Sequence, residues 1–550
     1  MDEILLPYVV ARTLESVYRP DTSNCGTFEQ RHHPLHQISS LSCFALLVGG
    51  VAVSIPAGAR RRDPQELPHP SGWALAGQRL GPGATALLLG STIYTAYTVV
   101  AVPGLTYSTG GFGLYALTYT LLLAPAAMVF LPRMRDLAAQ HGLVTAADCA
   151  RERHGSHALA LAVALTGLLA AMPYMALQVV GLEAALTAMD ISPNSMVGLL
   201  GIVAVCAVFT AVLLPRGLRA CAELARYKAL LLCGTLIVAF ALVMHNTAGP
   251  QQVFTAAERH LTAKNFTLVM PHGSHLAYIT LALGSVLAQL MYPQVLTVAL
   301  ATRSSNTMRR AILTLPLWTF SLGLFAYLGL AALALGVRTP AGHTELAVPE
   351  ILARLGPPWL SGLLLGALAI AALLPAAVMA IGMATLVARN IYSEYFNPTA
   401  TPKHEVRVAR FAAVVITTGG LVFALALNPQ DAINLHLLGG VWIIQTVPAV
   451  GLAPFTCWFH PRALLAGWAA GMVAGTAMIV RQGFSSVVDV GVGGLHLPVY
   501  VGIAALGLNL LLSIGLTPVL NRAGVPRGFD AKTTGTHLPR RGSRFAARVH

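Results

Sequence analysis

The sequence predicts an all-α polytopic membrane protein, and three observations carry that prediction. Of the 550 residues 55% are hydrophobic and only 10% charged, with a mean hydropathy of +0.67, a balance outside that of soluble proteins of this size. Apolar runs of about 20 residues, the length a roughly 30 Å hydrocarbon core demands, recur along the chain. Lysine and arginine fall in the connections between those runs and gather on alternate ones.

Reading the runs and their breakers in order gives thirteen spans: 38–58, 83–106, 112–131, 158–188, 194–214, 226–246, 276–300, 311–337, 360–388, 409–427, 435–456, 463–481 and 497–520. An odd number places the termini on opposite faces. One face collects Arg60, Arg61, Arg62, Arg133, Arg135, Arg151, Arg153, Arg226, Lys228, Arg303, Arg309 and Arg310 among others, and the opposite face holds few. The positive-inside rule then sets the N-terminus outside and the C-terminus inside.

On this path no lysine or arginine lies deep in a span. Glu183 is the one carboxylate within a span, near the outer end of 158–188, where a solvated or snorkelling carboxylate is expected. His245, His436 and His460 fall at span ends, where interfacial placement is expected. The formal net charge of +14 does not point to nucleic acid, because the basic residues form no stripe beside aromatic platforms. The seven cysteines are scattered, without metal-like or CxxC spacing, and are expected to be unpaired. No group with nucleophile and base spacing argues for an enzyme.

Three segments follow from this layout. Residues 1–37 are polar, lack the pattern of a cleavable signal and are expected to be weakly ordered. Residues 38–520 form the membrane domain. Residues 521–550 make a basic inner tail expected to lie near anionic lipid. Between spans, Asp136 to His141 predicts a short surface helix closed by Gly142, with a second helix opening at Thr145 and Asp148 nearby.

The chemistry is expected where helices break. Gly81 to Gly104 is apolar at both ends and interrupted by Gly90, Ser91 and Thr92 and then by Tyr94, Thr95, Tyr97 and Thr98. Backbone groups released at membrane depth cost several kcal/mol each unless satisfied, so such a break lines a cavity. In span 276–300, Gly284 and Ser285 lie about as deep, and Pro293 adds a second interruption. Two broken helices five spans apart run in opposite directions. They indicate a 5+5 inverted repeat, about 83–246 and 276–456, with a site at the midplane where the breaks meet. A small-residue packing notch is the competing reading of each Gly-Ser pair.

A carboxylate held in such a site needs hydrogen-bond donors and positive potential without a fixed cation to trap it. Half-helix N-termini supply both, and the backbone around Gly90, Ser91, Thr92, Gly284 and Ser285 is assigned that role. Tyr94, Thr95, Tyr97 and Thr98 add side-chain donors, although they sweep around the helix and do not all face one cavity. Gln178, Gln289 and Gln445 are amides inside apolar spans; they read first as interhelical bonds and second as carboxylate donors. Tyr292, before Pro293, reads as a gate or as ordinary packing.

Several stretches together resemble one family. Thr95-Ala96-Tyr97-Thr98 with Val102-Pro103, His141-Gly142-Leu143-Val144-Thr145-Ala146-Ala147-Asp148, Met172-Pro173-Tyr174-Met175-Ala176-Leu177-Gln178, Arg389-Asn390-Ile391-Tyr392-Ser393-Glu394-Tyr395 and Leu437 to Thr446 resemble the sodium:solute symporter family, more narrowly its bacterial monocarboxylate permeases. The resemblance covers roughly residues 40 to 530. It implies a LeuT-type fold of about thirteen helices in a bacterial cytoplasmic membrane, importing a small carboxylate such as acetate, propionate, lactate or pyruvate by cation-coupled symport. No cofactor is implied, and the partners are the carboxylate solute and the lipid bilayer.

Two departures bear on the coupling ion. Where sodium-coupled relatives supply two adjacent hydroxyl residues, this chain has Leu374 and Pro375, and a hard cation needs oxygen ligands. Thr92 stands where related permeases often carry an acid. The coupling ion is therefore H+ or Na+. A sodium-coupled symporter of another small solute, such as an amino acid, and a non-transporting membrane sensor are the competing functions. Nothing in the sequence specifies an oligomeric state.

Overall fold

The computed structural model describes residues 34–59, 69–270, 272–426, 429–492 and 495–527. Most of the 1–37 extension and of the 521–550 tail lies outside the described residues. The first helix, α1 (Pro34–Ala59), is followed by the broken segment: α2 (Pro82–Ile93), a π-helical turn over Tyr97–Ala101 and α3 (Val102–Thr109). Then come α4 (Tyr115–His141), α5 (Ala146–His154), α6 (His157–Thr187), α7 (Met196–Leu213), α8 (Leu218–Asn246) and the surface helix α9 (Pro250–Thr262). The second broken segment is α10 (His275–Met291) and α11 (Pro293–Ala301). It leads through α12 (Ser305–Ile312), α13 (Leu315–Ala334) and α14 (Ala347–Leu355) to α15 (Pro358–Leu386). The described residues close with α16 (Pro402–Leu425), α17 (Pro429–Ile443), α18 (Pro461–Arg481), a β-hairpin and α19 (Val501–Arg522).

Among the described residues ten helices are long and apolar enough to cross a membrane, or eleven if the bent pair α10 and α11 is one span. The difference from thirteen has a physical cause. Span 83–106 does not stay a single helix, and its second half continues into span 112–131 as one helical path from Tyr97 to His141. Span 435–456 leaves only a short apolar helix, His436–Gly451. The spans pack around α15, which with its continuation to Phe396 has 89% of its most apolar window inside the protein.

Three local expectations are corrected. Residues Asp136 to His141 are the last turns of the 27-residue α4, not a separate surface helix. That helix does end at Gly142, in left-handed conformation at φ 65°, and Thr145 opens α5 in a capping box with Asp148. The reading also assigned no strand, yet β1 (Val487–Val492) and β2 (Leu495–Tyr500) pair antiparallel, with Val487 opposite Tyr500 and Val492 opposite Leu495. Their alternating valines are too few for a span, and the hairpin carries Tyr500 to α10. There its N–H donates to Thr280 Oγ1 at 2.9 Å. Finally, Glu183 is buried at 8% exposure rather than solvated.

Candidate substrate site at two helix breaks

Both helix breaks occur at a tyrosine. Tyr94 is extended at φ −94°, ψ 97° and closes α2; Tyr292 is extended at φ −61°, ψ 138° and separates α10 from α11, which are bent by 52°. At the second break Pro293 contributes, because its ring disfavours helical dihedrals at the preceding residue and it supplies no N–H to the ladder. The glycine-serine pairs therefore lie inside helices, four and eight residues before the breaks. A Cβ at Gly90 would stand 2.1 Å from the Trp318 ring, and one at Gly284 would stand 2.4 Å from the Tyr500 ring. Each glycine is a notch for an aromatic of a neighbouring element.

The first break is satisfied largely by its own surroundings. Thr95 Oγ1 accepts from Tyr97 N at 3.1 Å and donates to the Tyr174 hydroxyl at 3.3 Å. Gln178 Oε1 accepts from Ala96 N at 3.0 Å, while its Nε2 donates to Tyr174 O at 2.9 Å. The freed amides at the start of the second half-helix are thus capped by Thr95 and Gln178. Thr92 donates to Leu89 O of its own helix, and Thr98 is buried. Tyr94 turns away toward α13, where its hydroxyl meets Thr319 Oγ1 at 2.6 Å.

Around the second break lies an aromatic cluster. Tyr174 and Tyr292 have ring centroids 5.2 Å apart, and His436 stands 4.1 Å from Tyr174, 5.4 Å from Tyr97 and 6.3 Å from Tyr292. The Tyr97 and Tyr115 hydroxyls bond each other. Within this cluster the Tyr292 hydroxyl, Gln289 Nε2 and His436 Nδ1 are buried without a hydrogen-bond partner among the described residues. Unpaired buried polar atoms are costly, and their convergence in a membrane protein marks a place where a solute or water supplies the missing partner.

The other sequence candidates sit elsewhere. Gln445 accepts from Asn509 Nδ2 at 3.2 Å through Oε1 and again at 2.9 Å through its carbonyl, tying α19 to the turn after α17. Ser285 is half-buried, seven residues before Tyr292. Leu374 and Pro375 are buried within the unbroken α15, and the nearest hydroxyl below them, Thr385, donates to Ile381 O of its own helix at 2.7 Å.

Two side chains at the breaks lie away from their expected places: His436, expected at an interfacial span end, stands inside the aromatic cluster, and Lys228 lies inside a span. His436 is the eighth residue of α17, two turns in from a start at Pro429 that lies ahead of the apolar run 435–456. Lys228 was expected in an inner loop; it lies some ten residues into α8 and is fully buried, so the expectation of spans free of deep cations is corrected. The signal lies in Leu218, Ala220, Cys221, Ala222 and Leu224, apolar or small residues around Arg219 and Glu223 that continue the helix inward past Arg226.

On the inner side two of the family-like stretches meet. Asp148, 1% exposed, accepts from Arg389 Nε at 2.6 Å, Asn390 Nδ2 at 2.9 Å and Val144 N at 3.0 Å. Burial by itself would push the Asp148 carboxyl up. Arg389 and Arg151, with the Val144 amide and Asn390, outweigh this and hold it below the ordinary carboxylate range. His154, buried beside this knot, meets Ala449 O at 3.1 Å; burial pulls its imidazole down to about 4.

The sodium:solute symporter family model matches residues 73–475. The chain belongs to the sodium:solute symporter family. It is accordingly a symporter and not an enzyme, a multi-pass membrane protein that acts on a small solute. A monocarboxylate transport permease protein of Rhizobium johnstonii is 37% identical over 483 residues, covering 88% of this chain and 97% of the relative. An uncharacterised symporter of Bacillus subtilis, YodF, is 26% identical over 451 residues, 81% of this chain and 87% of its own. Among solved structures, a substrate-bound, outward-open Na+-coupled sialic acid symporter superposes with a TM-score of 0.70 at 16% identity, covering 88% of this chain and 98% of that one. A nucleobase-cation-symport-1 family transporter in a closed conformation gives 0.52 at 14% identity, covering 86% and 98%. At these identities the likeness concerns the fold, which is that of LeuT-type symporters.

Proposed function

We propose that this symporter imports a small monocarboxylate of the acetate, propionate, lactate and pyruvate class across the bacterial cytoplasmic membrane, by cation-coupled alternating access around the two breaks. The observation that carries the reading is the set of unpartnered buried groups at Tyr292, Gln289 and His436. The Tyr292 hydroxyl and Gln289 Nε2 are two neutral donors for one carboxylate, and Tyr97, Tyr174 and His436 present ring surface to a short apolar tail. A neutral donor set lowers the cost of burying a carboxylate without the deep trap that an unpaired arginine would make. The permease from Rhizobium johnstonii, related over nearly its whole length, supports the same solute class.

Of the residues singled out from the sequence, Gln289 and Tyr292 are assigned to the solute. Thr95 and Gln178 are assigned to holding the first break, and Tyr97 to the aromatic wall. The test is uptake of radiolabelled acetate, propionate, lactate and pyruvate into proteoliposomes under separately imposed sodium and proton gradients, with protein-free vesicles as baseline. Protein-dependent uptake of at least one acid is expected; none under either gradient rejects the solute class.

A further inference from the structure

The most unusual group in the membrane domain is Lys228. It lies about 15 Å along α8 from Leu218 at 1.5 Å per residue, is 0% exposed, and pairs with no carboxylate among the described residues. A buried ammonium without a counterion is expensive, so its surroundings must supply negative potential. They do so through backbone alone. Nζ donates to Ser91 O at 2.8 Å and to Tyr94 O at 2.7 Å.

These carbonyls belong to the last turn of α2 and to the break itself. Because Tyr94 is extended, they lose the intrahelical donors that a continuous helix would give them; Thr98 N, for example, bonds Thr95 O instead of Tyr94 O. They also form the negative end of the half-helix dipole. Carbonyls of an unwound membrane helix together with a half-helix C-terminus are what a transported cation would bind. The Ser91 hydroxyl, 0% exposed, has no partner beside them. α15 packs against both α2 and α8, and its Leu374 and Pro375 carry no side-chain oxygen that could complete a sodium shell.

We propose that the Lys228 ammonium is a tethered cation standing at the helix break in place of a sodium ion, and that the coupled ion is a proton carried on its Nζ. The proposal rests on the symporter reading above and specifies its coupling. In the cycle one Nζ–H bond breaks, the electron pair stays on nitrogen and the proton passes to water on the inner side. The two charge-assisted bonds to Ser91 O and Tyr94 O become ordinary or break, and α2 is released from α8. Reprotonation from the outer side restores them. One proton with one carboxylate moves no net charge, so turnover is insensitive to membrane potential.

Few groups on the elements around Nζ compete for this role. Of the titratable side chains on elements packed against α8, Tyr94 bonds Thr319 and Glu350 bonds Arg354. His36, Cys43, Cys206, Arg216 and Tyr327 make no bond to Nζ. On α8 itself Glu223 pairs with Arg226.

The test uses the full chain in proteoliposomes with labelled lactate, subtracting protein-free vesicles because the neutral acid crosses lipid unaided. An inward proton gradient of about one pH unit is expected to drive lactate accumulation toward a limit of about tenfold, with an initial rate well above that of protein-free vesicles and unchanged when choline replaces sodium. Lys228→Arg retains a cation for the same carbonyls but does not release a proton near neutral pH. If Lys228 only braced the break, this variant would still accumulate lactate on a proton gradient; under the proposal that accumulation is lost, as it is in Lys228→Met. Accumulation by either variant overturns the proposal. Radioactive-sodium binding to the purified wild type, without solute, is a separate arm: saturable binding also overturns it. That arm decides the matter if the variants do not fold. It also stands if none of the acids exchanges, in which case only the solute assignment has failed.

Discussion

Single residues at the two breaks divide into those that satisfy the protein and those left for a solute. Tyr292→Phe removes one donor and little volume. A hydrogen bond to a charged partner contributes about 1.5 kcal/mol or more, so KM for the transported acid is expected to rise about tenfold in an initial-rate assay, with the maximal rate little changed. An unchanged KM would remove Tyr292 from the solute site. Gly90→Ala tests the notch. Its Cβ would lie 2.1 Å from Trp318, so the ring or α2 must shift, with an expected cost of about 1–3 kcal/mol read as a lowered unfolding midpoint in detergent. The sequence made these polar positions visible as breaks in apolar runs. It could not separate Gln178, committed to Ala96 N, from Gln289, whose amide is unpartnered, because both are glutamines in apolar helices.

At the scale of elements, the inner knot fastens α5 to the π-helical continuation of α15, Val387–Phe396. Asp148→Asn leaves Arg389 facing a neutral amide at low exposure, and the expected loss is about 3 kcal/mol of stability, measured by thermal unfolding of the purified protein. The sign of the pH effect follows from the depressed carboxyl: its contribution is present above the ordinary carboxylate range and is lost as pH falls through the lower folded value. His154 acts at milder acidity. Because its folded imidazole sits at about 4 against an ordinary 6.5, the unfolded chain takes up a proton first, and stability falls as pH drops from 6.5 toward about 4. His154→Gln is expected to flatten that part of the stability profile. The capping of α5 was legible in Thr145 and Asp148, three residues apart. Its partner Arg389 is 241 residues away along the chain, and no local pattern joins the two.

For the whole molecule, the charge asymmetry predicts an outer N-terminus and an inner C-terminus. Cys457, exposed in the loop before α18, provides the test: a membrane-impermeant maleimide is expected to label it in inside-out vesicles and not in right-side-out ones. The opposite pattern would invert the orientation and with it the direction assigned to the proton on Lys228.

The membrane class, the approximate spans and the presence of two interrupted helices followed from the sequence by itself. Each rests on local composition over about 20 residues, the length set by the bilayer. Among the interruptions the sequence offers, the tertiary structure decided where the helices part, at Tyr94 and at Tyr292 before Pro293 rather than at the glycines, because a glycine in a helix and a glycine at a break have the same local sequence. It alone brought His436 between Tyr97 and Tyr174 and carried Lys228 inward to Ser91 O, 137 residues away. Such contacts depend on which helices pack together, and packing partners are chosen by the whole bundle rather than by any one stretch of it.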